Sequence, residues 1–123
     1  MKQISTENAP AAIGPYCQAT VHNGFVFTSG QIPLDPVTGA VVGSTIEEQA
    51  HRVCQNLQAV LTAAGSDVTK VLKTTCFLAD MNDFSAFNEV YGTYFTGKPA
   101  RSCVAAKALP KGVLVEVEAI AER

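Results

Sequence analysis

The sequence has 123 residues, of which nine are Lys or Arg and eleven are Asp or Glu, so the formal net charge is −2. Charged residues make up 16% of the chain and apolar residues 47%, whereas globular chains average about 25% charged residues. This composition excludes a disordered chain, and the small negative charge argues against a surface that binds polyanions. The length predicts a single domain over residues 1–123, and the scarcity of charge suggests a surface partly covered by copies of the same chain.

No feature of the sequence predicts export, membrane insertion or metal binding. Residues 1–8 contain no apolar run typical of a secretory signal, and no stretch of about 18 apolar residues could span a membrane. The cysteines form no C-x-x-C pair and keep no metal-ligand spacing with His22 or His51. Free thiols in a reducing compartment are therefore expected at Cys17, Cys54, Cys76 and Cys103. We expect a cytoplasmic protein.

The first regular elements predicted are two strands, Gln18–His22 and Phe25–Ser29, joined at Asn23-Gly24. Asn-Gly tolerates the positive φ angles of a tight hairpin turn, and apolar and β-branched residues flank it. A third short strand is predicted around Ala40–Val42, after a turn with the sequence Asp-Pro-Val-Thr-Gly.

A change to helical periodicity predicts a helix over about Thr45–Ala64. Its apolar residues recur every three or four positions and form one stripe, consisting of Ile46, Ala50, Val53, Leu57, Val60, Leu61 and Ala64. Ser44 and Thr45, each with a glutamate three residues later, provide overlapping capping boxes at its start. Gly65 can take the left-handed conformation that ends a helix.

Strand chemistry returns at Val71–Ala79, and the strand–helix–strand order predicts a right-handed crossover with a parallel pair. Asp80–Asp83 offers caps for a second helix. Its aromatic stripe is interpreted as a core face and consists of Phe84, Phe87, Tyr91, Tyr94 and Phe95. Two closing strands are predicted over Arg101–Lys107 and Val113–Ala121. The order β-β-β-α-β-α-β-β indicates an α+β fold with two helices on one face of a mixed sheet, so the other face must be polar or must contact another subunit.

The last strand contains the clearest indication of chemistry. Alternation places Glu116 and Glu118 among apolar residues on one face of a strand that is expected to lie near the centre of the sheet. A carboxylate there needs a cationic partner or has a raised pKa, which suits a general acid or base. The alternative is that this part of the face is simply solvated.

Arg101 is the second candidate, because the preceding Pro99-Ala100 restricts the backbone that aims its side chain. Its planar guanidinium presents paired donors that match a substrate carboxylate, and Cys103 points to the same side of the strand. A surface arginine paired with a neighbouring acid explains the sequence equally well. Cys103 could also be a nucleophile, but the sequence identifies no base to activate it.

Three further residues could line a ligand site. Tyr16 follows a rigid Gly-Pro turn, Asn88 lies beside the aromatic stripe, and Gly30 ends a strand where a backbone N–H can approach a bound group. Each has a structural alternative, namely packing for Tyr16, solvation for Asn88 and a β-bulge for Gly30. The motifs of nucleophile-elbow hydrolases, P-loop proteins, dinucleotide-binding proteins and zinc proteases are missing.

Five segments closely resemble the RidA (YjgF-like) family of enamine/imine deaminases, in order and over essentially the whole chain. They are Ala9–Tyr16 (APAAIGPY), Thr28–Pro33 (TSGQIP), Pro99–Val104 (PARSCV), Leu109–Gly112 (LPKG) and Val115–Ala121 (VEVEAIA). The Pro-Ala-Arg-Ser motif and the Glu-x-Glu-Ala-Ile-Ala ending are the most discriminating pair. The resemblance implies a chorismate-mutase-like (YjgF-like) fold assembled as a homotrimer, with the sheets facing inward and active sites between neighbouring subunits.

The resemblance also implies hydrolysis of 2-imino and 2-enamino acids, such as 2-aminoacrylate, to 2-oxo acids and ammonia, without a metal or bound cofactor. The arginine matching Arg101 would bind the substrate carboxylate, and the glutamate matching Glu116 would place or activate the attacking water. Tyr16 is the third catalytic candidate. The positions matching Tyr16, Asn88, Gly30 and Cys103 would line the pocket, with Gly30 and Cys103 contributing largely through their backbone. Because an imine is already electrophilic, an anchor, a placed water and proton transfer suffice.

Two positions depart from the family pattern, in which members commonly carry an acid at the position of Ala105 and an arginine at that of Ala108. This difference in rim charge leaves the substrate range open. An endoribonuclease or translation inhibitor is the first alternative, although the sequence lacks a basic run with interleaved aromatic residues. A non-catalytic binder of 2-oxo acids or a chaperone-like protein is the second, although both Arg101 and Glu116 are present.

Overall fold

The computed structural model describes residues 1–123 and contains a six-stranded mixed sheet with two helices packed on one face. The strands are β1 (Lys2–Ile4), β2 (Ala19–His22), β3 (Phe25–Thr28), β4 (Val71–Leu78), β5 (Ala100–Ala105) and β6 (Val115–Glu122), and the helices are α1 (Ile46–Ala63) and α2 (Phe84–Tyr94). Across the sheet the strands run in the order β1-β2-β3-β6-β4-β5. The predicted α+β architecture is confirmed. None of its helices is long and apolar enough to cross a membrane.

The predicted hairpin and the predicted first helix are both confirmed. Asn23 and Gly24 have φ angles of 52° and 80°, the left-handed values that a tight turn between β2 and β3 requires. At the start of α1, the Thr45 hydroxyl accepts a hydrogen bond from the Glu48 N–H, and the Glu48 carboxylate accepts one from the Thr45 N–H. This capping box satisfies backbone donors that would otherwise lack partners, and it fixes where the helix begins.

In the first third of the chain, one strand of the structure was not predicted and one predicted strand is wrong. β1 was not predicted, because a strand of three residues has no readable periodicity, although Lys2–Ile4 pairs with β2. Conversely, Ala40–Val42 is not a strand and makes only an isolated bridge between Leu34 and Val41. Pro33 lacks the N–H that a longer ladder would need, so pairing stops after this bridge.

The parallel pair forms at a different place from the one predicted. α1 connects β3 to β4, but these two strands do not pair, because β6 lies between them and pairs antiparallel with both. The parallel hydrogen-bonded pair is β4 with β5, and α2 makes that connection. The closing strand therefore occupies the centre of the sheet, as the alternation of its residues indicated.

Alternation along β6 separates the core from the uncovered face of the sheet. Val115, Val117, Ala119 and Ala121 are buried beneath the helices, whereas Glu116 and Glu118 point to the opposite side. Several apolar side chains accompany them on that side, in register with one another, namely Phe27, Phe77, Val104 and Ile120. Phe27 and Val104 are 43% and 49% exposed, so the uncovered face carries exposed apolar side chains together with its two carboxylates and with the polar residues Lys73, Thr75 and Ser102.

Candidate functional site

The six residues selected from the sequence divide between the two faces of the sheet. Arg101 pairs in register with Thr74, which pairs with Ala119, and the buried side chains of Thr74 and Ala119 mark this as the helix-covered face. Glu116 pairs with Phe77 on the opposite face. Within one chain, therefore, the candidate carboxylate anchor and the candidate base do not face each other.

Glu116 lines a cleft of about 540 Å³ that we call the Glu116 cleft. It is formed by Pro10, Ala11, Ile13, Tyr16, Gln18, Ser29, Gly30, Gln31, Ile32, Leu34, Pro110, Lys111 and Glu116. Tyr16 is 54% exposed at this cleft, so it is not a core residue. The structure thus brings together three predicted site residues, Tyr16, Gly30 and Glu116.

Gly30 is in close contact with the Glu116 side chain. A Cβ atom added at Gly30 would lie 2.9 Å from Glu116 Cδ, 3.1 Å from its Cγ and closer still to Oε2. Any larger residue at this position would therefore displace the carboxylate. Beside it, Gln31 and Val117 exchange two backbone hydrogen bonds of 2.8 and 3.1 Å, which fix the Gly30 segment against β6. The glycine is required for close approach of a side chain to the backbone.

Burial raises the pKa of the Glu116 carboxyl group, and the negative charge of Glu118 on the same face raises it further. Both causes disfavour the ionised form of the carboxyl group. The side chain is half-buried, and no cation is paired with it. A carboxylate with a raised pKa is a better proton acceptor near neutral pH than an ordinary surface glutamate.

Buried amide side chains position the walls of the Glu116 cleft. Asn56 of α1 is fully buried, and its Nδ2 donates to the carbonyl oxygens of Ile32 at 3.1 Å and Leu34 at 3.0 Å. On the other wall, Gln18 Nε2 donates to Pro10 O at 2.7 Å, which holds the segment that precedes Tyr16. Since buried backbone carbonyls need partners, these amides determine the path of both segments.

Arg101 occupies a second arrangement, the Arg101 cradle, which consists of Arg101 with Phe84, Asn88 and Tyr91 of α2. Its Nη1 donates to Asn88 Oδ1 at 2.7 Å, so its partner is a neutral amide and not an acid. The Cζ atom lies 5.3 Å from the Phe84 ring centroid and 4.9 Å from that of Tyr91. The remaining guanidinium donors are available to an external anion.

Cys103 lies next to the cradle, directly opposite Cys76 in the β4–β5 ladder. Burial raises the pKa of the Cys103 thiol, and it raises the pKa of the Cys76 thiol to about 12. Such thiols stay protonated at neutral pH, which does not favour a nucleophilic Cys103. No group of three or more His, Cys, Asp or Glu side chains is placed to hold a metal ion.

The sequence predicts only a core face for Phe84 and Tyr91 and does not identify them as partners of Arg101. Their spacing from Asn88 contains the signal, because positions i, i+4 and i+7 lie on one face of a helix. The solvated interpretation of Asn88 was wrong, since its amide oxygen accepts from Arg101. The cleft residue Lys111 was also missed. Its φ of 56° is a left-handed value that a turn before β6 imposes on it.

The protein is an α+β sheet protein with helices on one face, in which the Glu116 cleft and the Arg101 cradle lie on opposite sides. The sequence profile of the family described as endoribonuclease L-PSP matches residues 6–123. The chain belongs to this family, which is also called the YjgF/RidA family.

Named relatives span nearly the whole chain. A Lactococcus lactis protein named as a regulator, AldR, is 52% identical over 123 residues, which cover 99% of this chain and 98% of the relative. A Salmonella typhimurium protein named 2-iminobutanoate/2-iminopropanoate deaminase is 50% identical, with coverage of 99% and 98%. The crystal structure of Escherichia coli TdcF with bound serine has a TM-score of 0.95 and 45% identity, and the match covers 100% of this chain and 99% of that one. The predicted resemblance and fold are confirmed.

Proposed function

We propose that this protein is an enamine/imine deaminase that hydrolyses 2-imino and 2-enamino acids, such as 2-aminoacrylate, to 2-oxo acids and ammonia. It acts as a homotrimer, in which the Arg101 cradle of one subunit faces the Glu116 cleft of its neighbour. The single observation that carries this proposal is the position of Arg101 and Glu116 on opposite faces of one sheet. If both residues act on one small molecule, they must come from different chains.

The proposed mechanism assigns one task to each half of the site. The Arg101 guanidinium holds the substrate carboxylate, while Asn88 keeps that guanidinium in place. An enamino acid first becomes the imine, as one proton leaves its nitrogen and one is gained at its terminal carbon. The Glu116 carboxylate then accepts a proton from water, whose oxygen bonds to the imine carbon, and passes that proton to the imine nitrogen. The resulting carbinolamine loses ammonia and leaves the 2-oxo acid. The Tyr16 hydroxyl completes the Glu116 cleft as a hydrogen-bonding group for the nitrogen or the water.

The uncovered face of the sheet supports the assembly. Phe27 and Val104 are about half exposed there, and exposed apolar side chains on an uncovered sheet face are consistent with an interaction surface. The low proportion of charged residues, 16%, is consistent with a surface that other subunits cover. All four cysteines are free, which supports a cytoplasmic location.

The names of relatives support the reaction. A relative at 50% identity is named as a deaminase of 2-iminobutanoate and 2-iminopropanoate, both of which are short 2-imino acids. The structure of a second family member contains serine, a small amino acid. Other names refer to an endoribonuclease and to a regulator, so ribonuclease activity is the competing function that the experiment must measure.

The proposal is tested by mixing two inactive variants. Arg101→Ala and Glu116→Gln are each assayed with an enzyme that generates 2-aminoacrylate, and decay of the imine signal is followed. They are then unfolded together in equal amounts and refolded as mixed assemblies. In a cyclic trimer with random mixing, about a quarter of the sites pair an intact Arg101 with an intact Glu116. We therefore expect about a quarter of the wild-type rate to return.

A mixture that stays as inactive as its components, although mixed assemblies have formed, would contradict the shared site. A wild-type protein that does not accelerate imine decay would contradict the reaction itself. Cleavage of RNA by the wild type that is lost in Arg101→Ala would instead support the ribonuclease alternative. Sedimentation as a monomer would overturn the assembly.

A further inference from the structure

Three side chains of α2 surround the guanidinium of Arg101. Phe84, Asn88 and Tyr91 stand at positions i, i+4 and i+7, so they project from one face of the helix. The Cζ atom lies within 5.3 Å of both ring centroids, and Asn88 accepts from Nη1 at 2.7 Å. Cation–ring attraction therefore acts together with one in-plane hydrogen bond.

We propose that Phe84 and Tyr91 are positioning residues, which hold the Arg101 guanidinium in one orientation so that its free donors receive a planar carboxylate. This inference rests on the proposed function of Arg101 as the carboxylate anchor. It adds a specificity element, because the two rings restrict the direction from which an anion can reach the guanidinium. An arginine is suited to this arrangement, since a lysine ammonium lacks the planar surface that packs on a ring.

The Tyr91 side chain is itself held by two contacts. Its hydroxyl is 2.7 Å from Thr74 Oγ1, and Thr74 is the neighbour of Arg101 in the β4–β5 ladder. Its ring stacks on Phe95 with a centroid distance of 4.4 Å, and the residue is 7% exposed. Burial raises the pKa of the Tyr91 phenol, which therefore stays protonated, and either hydroxyl can donate in this hydrogen bond. The surface beneath Arg101 is consequently rigid.

A rigid anchor reduces the cost of binding. A free arginine side chain loses rotamer freedom when it binds a carboxylate, whereas an arginine that is already held loses less. The carboxylate takes no part in bond breaking, so this contribution is the same in the ground state and the transition state. It therefore lowers KM and leaves kcat nearly unchanged.

The test compares Phe84→Leu, which removes the ring but keeps apolar volume, with Phe84→Tyr, which keeps the ring. For Phe84→Leu we expect a roughly three- to tenfold increase in KM for 2-aminoacrylate with kcat within about twofold of wild type. Phe84→Tyr should have the same KM as the wild type. An unchanged KM in Phe84→Leu, or an equal increase in both variants, would overturn the proposal.

Tyr91→Phe tests the second ring, because it keeps the ring and removes only the hydrogen bond to Thr74. We expect a smaller increase in KM, about twofold to threefold. Tyr94→Phe is the matched control, since it also removes a tyrosine hydroxyl from α2. That hydroxyl lies 3.1 Å from His51 Nδ1 and does not contact the cradle. An effect of equal size in Tyr94→Phe would show general loosening of α2 and would contradict the positioning role.

A spectroscopic measurement separates this inference from the proposed function. Rings near the guanidinium shift the resonance of the Arg101 Nε–H group, and the cradle slows rotation of the guanidinium. Both signatures should be lost in Phe84→Leu and retained in Phe84→Tyr, whether or not the protein hydrolyses imines. Titration with 2-oxobutanoate should show weaker binding to Phe84→Leu. If the resonance and rotation do not change, the positioning role fails while the deaminase proposal stands.

Discussion

The Glu116 cleft and the Arg101 cradle lie on opposite faces of one sheet, and they are assembled by different means. In the cleft, a backbone glycine contacts the carboxylate and buried amides hold the surrounding loops. In the cradle, side chains from a single helix face surround a guanidinium on β5. The first half depends on the position of the main chain, and the second depends on the packing of side chains.

This difference predicts different sensitivities to substitution. A backbone in close contact with a functional group leaves no space for an added atom, so a small change there displaces the group completely. In the cradle, several side-chain contacts together hold the guanidinium. The loss of one contact therefore removes only part of the interaction energy. Substitutions in the cleft should therefore abolish most of the activity, whereas those in the cradle should reduce it by smaller amounts.

The largest effect is expected for Gly30→Ala. The new Cβ would occupy the position of the Glu116 carboxylate, which must rotate away because it is the flexible end of a side chain. A displacement of about 1 Å is enough to lower turnover roughly a hundredfold. We expect a folded protein with kcat reduced by about that factor. Steady-state kinetics and a thermal melt on the same preparation check both parts.

Gly92→Ala is the matched control for this change. Gly92 lies in α2 without a positive φ, and a Cβ there would meet nothing within 4 Å. Alanine should raise stability by about 0.5–1 kcal/mol, because glycine is a poor helix former. Equal activity in the two variants would show that Glu116 does not need its observed position.

The second prediction concerns Asn56→Leu, which should damage the cleft and leave the cradle intact. The substitution removes both donors to Ile32 O and Leu34 O, and each carbonyl left without a partner costs about 1–3 kcal/mol. We expect lower stability and a several-fold loss of kcat, with an unchanged Arg101 Nε–H resonance. Gln55→Leu, the same kind of change at an exposed neighbouring position, should affect neither. A shifted Arg101 resonance in Asn56→Leu would show that the two halves are coupled.

Much of the fold could be predicted because its signals are local. The capping box of Thr45 and Glu48 and the Asn23-Gly24 turn each specify an element boundary within a few residues. β1 could not be predicted, because its three residues are ordered only by pairing with β2. Nor could the insertion of β6 between β3 and β4, since that pairing is formed by residues far apart in the chain.

The candidate residues could also be named from the sequence, but their arrangement could not. Alternation within a strand shows that Glu116 and Glu118 share a face and that Arg101 and Cys103 share a face. It does not relate the two pairs, because β4 lies between β5 and β6 and its register sets the relation. Only that register shows that Arg101 and Glu116 lie on opposite faces of the sheet.

The third prediction is a pH effect in the cleft. The charge of Glu118 raises the pKa of Glu116, so Glu118→Gln removes one of the two causes and lowers that pKa. A general base is active when deprotonated, and the acid limb of kcat should therefore move to lower pH. At neutral pH the rate should change less than tenfold, because burial of Glu116 remains. A profile that does not move, or that moves to higher pH, would contradict the assignment of Glu116 as the base.

The smallest expected effect is on the free energy of unfolding. Substitution of Glu116 in the cleft should raise it at neutral pH, whereas substitution of Arg101 in the cradle should lower it. Because the pKa of Glu116 in the folded protein lies above its unfolded value, its contribution to stability is present at low pH and is lost as the pH rises through the folded value. Glu116→Gln should therefore be slightly more stable than wild type at neutral pH, by less than about 1 kcal/mol for a half-exposed group, with the difference disappearing in acid.

Arg101→Ala should instead be less stable at every pH, because it loses two ring contacts and a hydrogen bond. Denaturant unfolding at fixed protein concentration measures both, since the proposed assembly would make stability concentration-dependent. If Glu116→Gln is also less stable than wild type, the Glu116 carboxylate stabilises the fold as Arg101 does, and the protein does not lose stability by holding it in the cleft.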